Sequence, residues 1–404
     1  MQSTESSDGK TCDQLEGVLR QEQPLRSIAI AGAWGYIGQR FLEASRALGL
    51  ATYVYDPGPL PAGLDPGCFS IIKDESEFYC THADVFHLAL HPQHRRRGLE
   101  VLLERARQGE KPALLCEKPI ALPEEADQAL WALRVAKTPG MTLLYDFPEL
   151  FDPMTFQIYE YLSAFKVVKI DEIWLRRSKD REDPRIARNY KVMVPIQYQE
   201  TVHCFAFLLS LLGSVRAAPD VLWNQGVAME GESLPYSPPN PQDYPYVVDG
   251  KCNADVVVAG VRVHVSTDFK AGSVPDKFRR IVGRGDGSSF DIEAQFLEGH
   301  KSLRINGQLQ PAPVENNSYV AVLRQLWVWR QALSQEELNA GICPNAQTAY
   351  HAYLLSSLLW RACFTGREAM ADSLNQAHRV AAEFAGCVKR FKSYSDGPKH
   401  NCIR

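Results

Sequence analysis

Between residue 26 and about residue 145, short apolar runs alternate with stretches whose apolar positions recur every three or four residues. Ser27–Ala31, Ala51–Tyr55, Val85–Leu90, Ala113–Cys116 and Thr142–Tyr145 read as strands, and most are apolar enough for burial on both faces. Between them, Ile37–Leu48 sets Ile37, Phe41, Ala44 and Leu48 on one helical face. Helical patterns recur from about Gln93 to Gln108 and over Glu124–Ala136. Strand alternating with helix predicts an α/β domain with a parallel, doubly wound sheet.

After Asp146 the period changes. Pro153–Phe165 and Val202–Leu212 read as helices, and 225–250 as a loop rich in Pro and Tyr. Long alternating runs follow at Asp255–Phe269, Phe278–Gly283, Ser289–Phe296 and Ser302–Ile305, joined by turn signals at Gly285-Asp286-Gly287 and Asn306-Gly307. Helices return at Tyr319–Leu333, Ala346–Phe364 and Ser373–Phe391. The expected organisation is a polar tail (1–25), a doubly wound, Rossmann-type domain (26–147), an α+β domain with a large open, mostly antiparallel sheet (148–391), and a C-terminal tail (392–404).

With 404 residues and a formal net charge of -4, the chain has no global attraction for nucleic acid or an anionic membrane. No apolar run approaches the ~20 residues of a membrane helix, and the first residues lack an apolar signal core. The ten cysteines are scattered without a CxxC pair. Cys116, Cys204, Cys363 and Cys387 sit among apolar residues, so they read as reduced core thiols of a cytoplasmic protein.

Gly32-Ala33-Trp34-Gly35-Tyr36-Ile37-Gly38 follows a strand and opens a helix. Glycines permit a tight turn and close backbone approach, and a helix N-terminus offers free N–H groups to a pyrophosphate. A plain tight turn would use the same glycines; Asp56 adds weight to the nucleotide reading. At the end of the second strand an acid can accept ribose hydroxyls and repel a 2′-phosphate, which favours NAD(H) over NADP(H). The alternative for Asp56 is a turn residue before proline.

The segment Leu114-Leu115-Cys116-Glu117-Lys118-Pro119-Ile120-Ala121-Leu122 places a lysine at the carboxyl end of a parallel strand, where ligands bind. An ammonium there can bond a substrate oxygen and pass its proton. Here the chain resembles the glucose–fructose oxidoreductase / inositol dehydrogenase / rhizopine-catabolism oxidoreductases, whose hallmark is such a Glu-Lys-Pro turn. The resemblance runs from about Ile28 to Phe364. Leu90-His91-Pro92-Gln93-His94 is similar to the family's turn near the nicotinamide, and Phe151-Asp152-Pro153 to the start of its second domain. Gln199-Glu200-Thr201-Val202-His203-Cys204-Phe205-Ala206 resembles its second catalytic segment, with only His203 retained; Gln199, Thr201 and Ala206 replace an acid, a glycine and an acid. Glu149-Leu150 stands where many members have arginine.

The resemblance implies an NAD(P)-dependent oxidoreductase acting on a sugar, cyclitol or related polyhydroxylated molecule. It makes Lys118 and His203 the catalytic pair. The cofactor residues are Gly32, Ala33, Trp34, Gly35, Tyr36, Ile37, Asp56, Leu90, His91, His94, Glu117 and Lys118, and the substrate residues Lys118, Arg188, Tyr190, Gln199 and His203. It also implies a homo-oligomer, dimer or tetramer, assembled through the open sheet face. With a pKa near the ordinary 6.5, His203 would exchange protons near neutral pH. Non-catalytic nucleotide binding, or other redox or elimination chemistry on a retained cofactor, are the competing readings. His82, His87, His91 and His94 do not share the geometry of a metal site. Arg95-Arg96-Arg97 reads as a solvated helix face. The run from Arg176 to Tyr190 either binds an anionic substrate group or forms a solvated loop. The Tyr-Pro loop 234–246 covers a ligand or forms an oligomer contact.

Overall fold

The computed structural model describes residues 24–388 apart from 216–218, 245, 271–274, 312–316 and 340–341. The expected tails therefore lie outside the described residues, except for Pro24 and Leu25.

Six strands form the first sheet: β1 (Ser27–Ala31), β2 (Ala51–Tyr55), β3 (Ser70–Ile71), β4 (Val85–Leu88), β5 (Ala113–Glu117) and β6 (Thr142–Asp146). Every pair is parallel, in the order β3-β2-β1-β4-β5-β6. The chain winds outward from β1 to β3, then returns to β4 beside β1. Between β1 and β4 the connections leave in opposite directions, so the loops after them open a crevice at the carboxyl ends. The glycine loop after β1, the Leu90–Arg95 loop after β4 and the Lys118 turn after β5 all meet there. Helices Tyr36–Ala47, Arg96–Arg107 and Ala126–Val135 provide the crossovers.

The second sheet has nine strands: β7 (Val168–Ser178), β8 (Val227–Pro235), β9 (Asp249–Val258), β10 (Val261–Asp268), β11 (Lys277–Gly285), β12 (Ser288–Gln295), β13 (Ser302–Ile305), β14 (Gln308–Leu309) and β15 (Ala369–Ala371). Their order is β14-β13-β12-β11-β7-β10-β9-β8-β15, antiparallel except for β7 against β10. The α/β plus α+β reading holds, with three differences. Asp255–Phe269 is not one strand: Ala259 and Gly260 take positive φ values of 52° and 74° and turn the chain between β9 and β10. Part of the supposed 225–250 loop is β8, whose Glu, Gly and Ser hid the buried Val227 and Met229. Most important, β7 was missed, and it is the central strand.

Helix Val202–Val215 is buried along nearly its whole length beneath this sheet, with helix Ala346–Thr365 packed against it. The parallel sheet is covered partly from far along the chain: Val322, Leu323, Leu326 and Trp329 of helix Ser318–Ala332 pack with Ile28, Ile30, Phe41 and Leu144. A division near residue 147 is therefore crossed by a core the two halves share. Among the described residues, no helix is long and apolar enough to cross a membrane. Cys116 and Cys204 are buried free thiols and Cys363 is half-buried, whereas the side chain of Cys387 is outside the described set.

Candidate active site

A cavity of about 330 Å³ separates the ends of the parallel strands from the second sheet, a size suited to a small molecule. Its nucleotide side is made by backbone. Gly32 has φ 77°, and a Cβ there would lie 2.6 Å from the Ala89 carbonyl; at Gly38 it would lie 2.3 Å from that of Gly32. Only glycine lets these segments approach. Helix Tyr36–Ala47 starts at Gly35 with neither a side-chain cap nor an acid in its first turn. Its leading N–H groups have no helical acceptor, and Gly35, Tyr36 and Ile37 line the cavity. This cradle fits a dinucleotide phosphate.

Gly32, Ala33, Trp34 and Asp56 sit behind that opening rather than on it. Asp56 accepts the Trp34 N–H at 3.0 Å and the Gly58 N–H at 2.9 Å, while the Trp34 indole donates to the Gly58 carbonyl. The carboxylate thus holds the loop closed, and its remaining lone pairs can accept further donors.

Lys118 leaves the end of β5 and donates from Nζ to the Gln199 carbonyl at 2.5 Å. Gln199 belongs to a single π turn, Gln197–Thr201, that leads into helix Val202–Val215; such turns often mark functional positions. Enclosure pushes the Lys118 pKa down to about 8, and Arg177 and Arg181 push the same way against the Glu200 and Glu117 carboxylates. Beside it, register pairs Glu117 with Asp146 on β6. Burial and the Glu117 carboxylate raise Asp146 well above the carboxylate range, so it holds a proton. Burial opposes charge on Glu117 too, but a 3.2 Å contact to His87 Nε2 and the Arg95 charge keep it ionised.

The solvated-face reading fails for Arg95, which is 3 % exposed. Its guanidinium donates to the carbonyls of Leu90 (2.7 Å) and Pro119 (2.6 Å), tying the β4 and β5 loops together. Arg96 and Arg97 are exposed, as expected. Leu90 and His91 line the cavity; burial, then Lys191 and Arg95, push His91 down to about 4. His94 is exposed against Gln93 and Tyr190 is half-exposed; neither lines the cavity. Among the described residues no group of three His, Cys, Asp or Glu side chains converges to hold a metal.

The opposite wall is charged. Arg177, on the inward face of β7, pairs with Glu149 and donates from Nε to Glu200 at 2.6 Å, all three buried. Arg177 holds both carboxylates well below their ordinary range despite burial. Behind Glu149 lies His203, with Nδ1 3.5 Å from Oε2. Burial, together with Arg177 and Lys118, pushes His203 down to about 3. The expected ordinary pKa is therefore corrected: desolvation among cations keeps this imidazole neutral. Gln199, His203 and Arg188 line the cavity, as do Glu200, Lys179, Arg181 and Lys277.

Sequence reasoning gave Asp146 no role, read Arg95 as solvated, and named Arg177 only within a polar run and Glu149 only as a departure from the family pattern, without pairing them. The lost acids of the Gln199–Ala206 segment are answered by two other carboxylates: Glu200, within the segment, faces the cavity, and Glu149, from outside it, stands beside His203. Only β7 offered a signal, the alternation of Ile173, Leu175 and Arg177 on one face.

No sequence profile of a known family matches the chain, and no curated protein matches it in sequence. Solved structures match in three dimensions. A myo-inositol dehydrogenase from Corynebacterium glutamicum superposes with a TM-score of 0.61 over 86% of this chain and 99% of its own, at 14% identity. The fold is that of the inositol dehydrogenase-like oxidoreductases. An oxidoreductase from Agrobacterium radiobacter, solved with NAD+, L-tartaric acid and magnesium, matches at TM-score 0.60 over 85% and 98% of the chains, at 12% identity. The transcriptional regulator Gal80p from Kluyveromyces lactis matches at 0.61 over 92% and 99%, at 10% identity. The fold agrees with the resemblance carried by Glu117-Lys118-Pro119.

Proposed function

We propose that the chain is a nicotinamide-dependent oxidoreductase of the glucose–fructose oxidoreductase / inositol dehydrogenase type. It interconverts a carbinol and a carbonyl on a polyhydroxylated small molecule such as a sugar or cyclitol, with NAD(H) ahead of NADP(H). One observation carries the reading: Lys118, with its pKa near 8, shares a cavity with the glycine cradle.

The glycine-loop amides and the first turn of helix Tyr36–Ala47 would hold the pyrophosphate, Asp56 the adenosine ribose, and Leu90, His91 and Glu117 the nicotinamide end. Bound there, the nicotinamide supplies a two-electron hydride acceptor or donor. Lys118 binds the reacting oxygen. In oxidation, its neutral amine takes the hydroxyl proton as the carbon loses hydride and the carbonyl forms; reduction returns both. A pKa near 8 suits this exchange because both forms are populated near neutral pH. Glu200, held ionised by Arg177, favours the ammonium when the proton arrives. Neutral His203 orients a substrate hydroxyl.

The test is direct. Purified protein should bind NADH, seen as quenched tryptophan or enhanced nicotinamide fluorescence, and should turn over NAD+ with members of a sugar and cyclitol panel. Absence of dinucleotide binding overturns the reading. The replacement of family acids by Gln199 and Ala206 favours a second reading, a non-catalytic nucleotide-binding regulator. Tight NADH binding without turnover across the panel would select it.

A further inference from the structure

We propose that the substrate is an acid: a phosphate or carboxylate that it carries is held between Arg181 and Arg188, with Lys179 beside them. This rests on the hydride-transfer reading and names the substrate class of that same cavity.

Arg181 is only 7 % exposed, yet among the described residues its Nε has no hydrogen-bond partner and its one ion pair, Nη2 to Glu200, is long at 3.7 Å. Glu200 is already engaged by Arg177 at 2.6 Å. Arg188 Nε is likewise buried and unpartnered. Its guanidinium lies 5.2 Å over the Tyr36 ring, and Lys179 Nζ lies 5.5 Å from the same ring. Arg40 lies over that ring too, at 5.4 Å, but it is paired with Glu43; among the described residues, Arg188 and Lys179 share the ring without such a partner carboxylate.

The acids of the intervening segment do not answer them. Asp180 accepts the backbone N–H groups of Glu182 and Asp183, and Asp183 pairs with exposed Arg185 at 2.7 Å. Glu182 accepts the Ser237 N–H. A buried guanidinium with unused donors is costly unless something pairs with it. Burial and the neighbouring Arg181 push Lys179 well below the ordinary lysine range, as repulsion among unmatched cations requires. An anion satisfies all three side chains, and guanidinium forks match the oxygens of phosphate and carboxylate.

Such an anion has two sources. It is the substrate's own, or it is the dinucleotide pyrophosphate, since Tyr36 opens the helix of the phosphate cradle. The substrate is favoured because the cations are carried by the second sheet: the Lys179 N–H donates to the Asp268 carbonyl at the end of β10 and the Arg181 N–H to the Phe269 carbonyl just beyond it.

Isothermal titration with and without saturating NADH separates the sources. Glucuronate, glucose 6-phosphate and inorganic phosphate serve as anionic probes, glucose as the neutral one. In the native protein at least one anionic sugar should bind more tightly than glucose. Arg188→Gln and Arg181→Met should each weaken it roughly ten- to a hundredfold, the effect of losing a charge-assisted hydrogen bond, with NADH affinity within about twofold. Arg188 is only part-buried, so its variant keeps the test open if Arg181→Met fails to fold. If both variants weaken NADH about tenfold and leave anionic sugars unaffected, the cations belong to the pyrophosphate and the proposal is overturned. Glucose binding as tightly as glucuronate and glucose 6-phosphate also overturns it. Arginine-dependent anion binding by a protein that binds no NADH leaves the anion site standing and removes the hydride-transfer reading instead.

Discussion

Along the cavity wall that belongs to the parallel sheet, chemistry is placed by where strands stop. Lys118 and Glu117 end β5, Asp146 ends β6, and the glycine loop ends β1, so parallel order alone delivers them to one crevice. Along the opposite wall, chemistry is placed by the pleat of one strand and by tertiary pairing. Arg177 faces inward from β7, and its partners Glu149 and Glu200 come from 28 and 23 residues away. The first wall recognises a ligand through backbone and one titrating amine. The second fixes a field of charge. The difference teaches that the two walls should fail differently when cut.

The sharpest cut on the first wall is Lys118→Ala. Its side chain reaches into the cavity, so folding and NADH binding should survive while turnover falls roughly 10²–10⁴-fold. In the native protein, oxidation should speed up as pH rises through about 8, where the amine loses its proton, and reduction should slow. Full activity in the variant, or a profile flat through pH 8, removes Lys118 from proton transfer.

The matching cut on the second wall is Arg177→Met, and here stability should fall. It leaves Glu149 and Glu200 buried without their counter-charge, which typically costs about 3–5 kcal/mol. The sign with pH follows from the depressed carboxylates. Their contribution is present above the ordinary carboxylate pKa and is lost as pH falls through their lowered folded values. In the variant both folded pKa values rise, so its deficit should be largest near pH 7 and shrink toward pH 4. Denaturant midpoints at several pH values check this; a deficit independent of pH would mean lost packing rather than stranded charge.

The same contrast explains what could be read from the chain. Strand ends, a glycine cradle and Glu117-Lys118-Pro119 are contiguous, and the first wall followed from them. The second wall did not, because β7 disguises its period. Pairing with β11 shifts register between Val282 and Gly283, so Asp171 is skipped and Ile170 and Ile173 share a face at a spacing of three. With the other face solvated and charged, Arg176 and Arg177 looked like one polar run, although only Arg177 is buried. Glu149 carried no local signal, since its value depends on Arg177. Arg95 was hidden by its neighbours, as three consecutive arginines on a helix start look alike until the helix is docked.

His203 joins the walls and sharpens the comparison further. Held near pKa 3, it stays neutral from pH 5 to 9 and contributes no ionisation to the rate. His203→Asn should lower turnover by about one order of magnitude, the loss of an orienting hydrogen bond. The limb near pH 8 should stay in place. Appearance or loss of a limb between pH 6 and 8 would show that this imidazole titrates in the working enzyme.

The smallest effect is expected at Asp56, where backbone closure and ligand recognition share one carboxylate. Asp56→Ser removes the charge that repels a 2′-phosphate, so the preference for NADH over NADPH should narrow by about tenfold, roughly 1.4 kcal/mol. It also weakens the bonds from Trp34 N–H and Gly58 N–H that close the loop, so NADH affinity itself should drop. Asp56→Asn separates the two roles. Its amide oxygen still accepts one loop N–H, but the charge is gone. If Asn restores NADH affinity while the preference stays narrowed, Asp56 selects the cofactor by charge and holds the loop by hydrogen bonding. If both variants weaken NADH and NADPH equally, Asp56 only braces the glycine loop, and cofactor choice lies elsewhere on that wall. A native protein that binds NADPH at least about tenfold more tightly than NADH would refute the assignment at the outset.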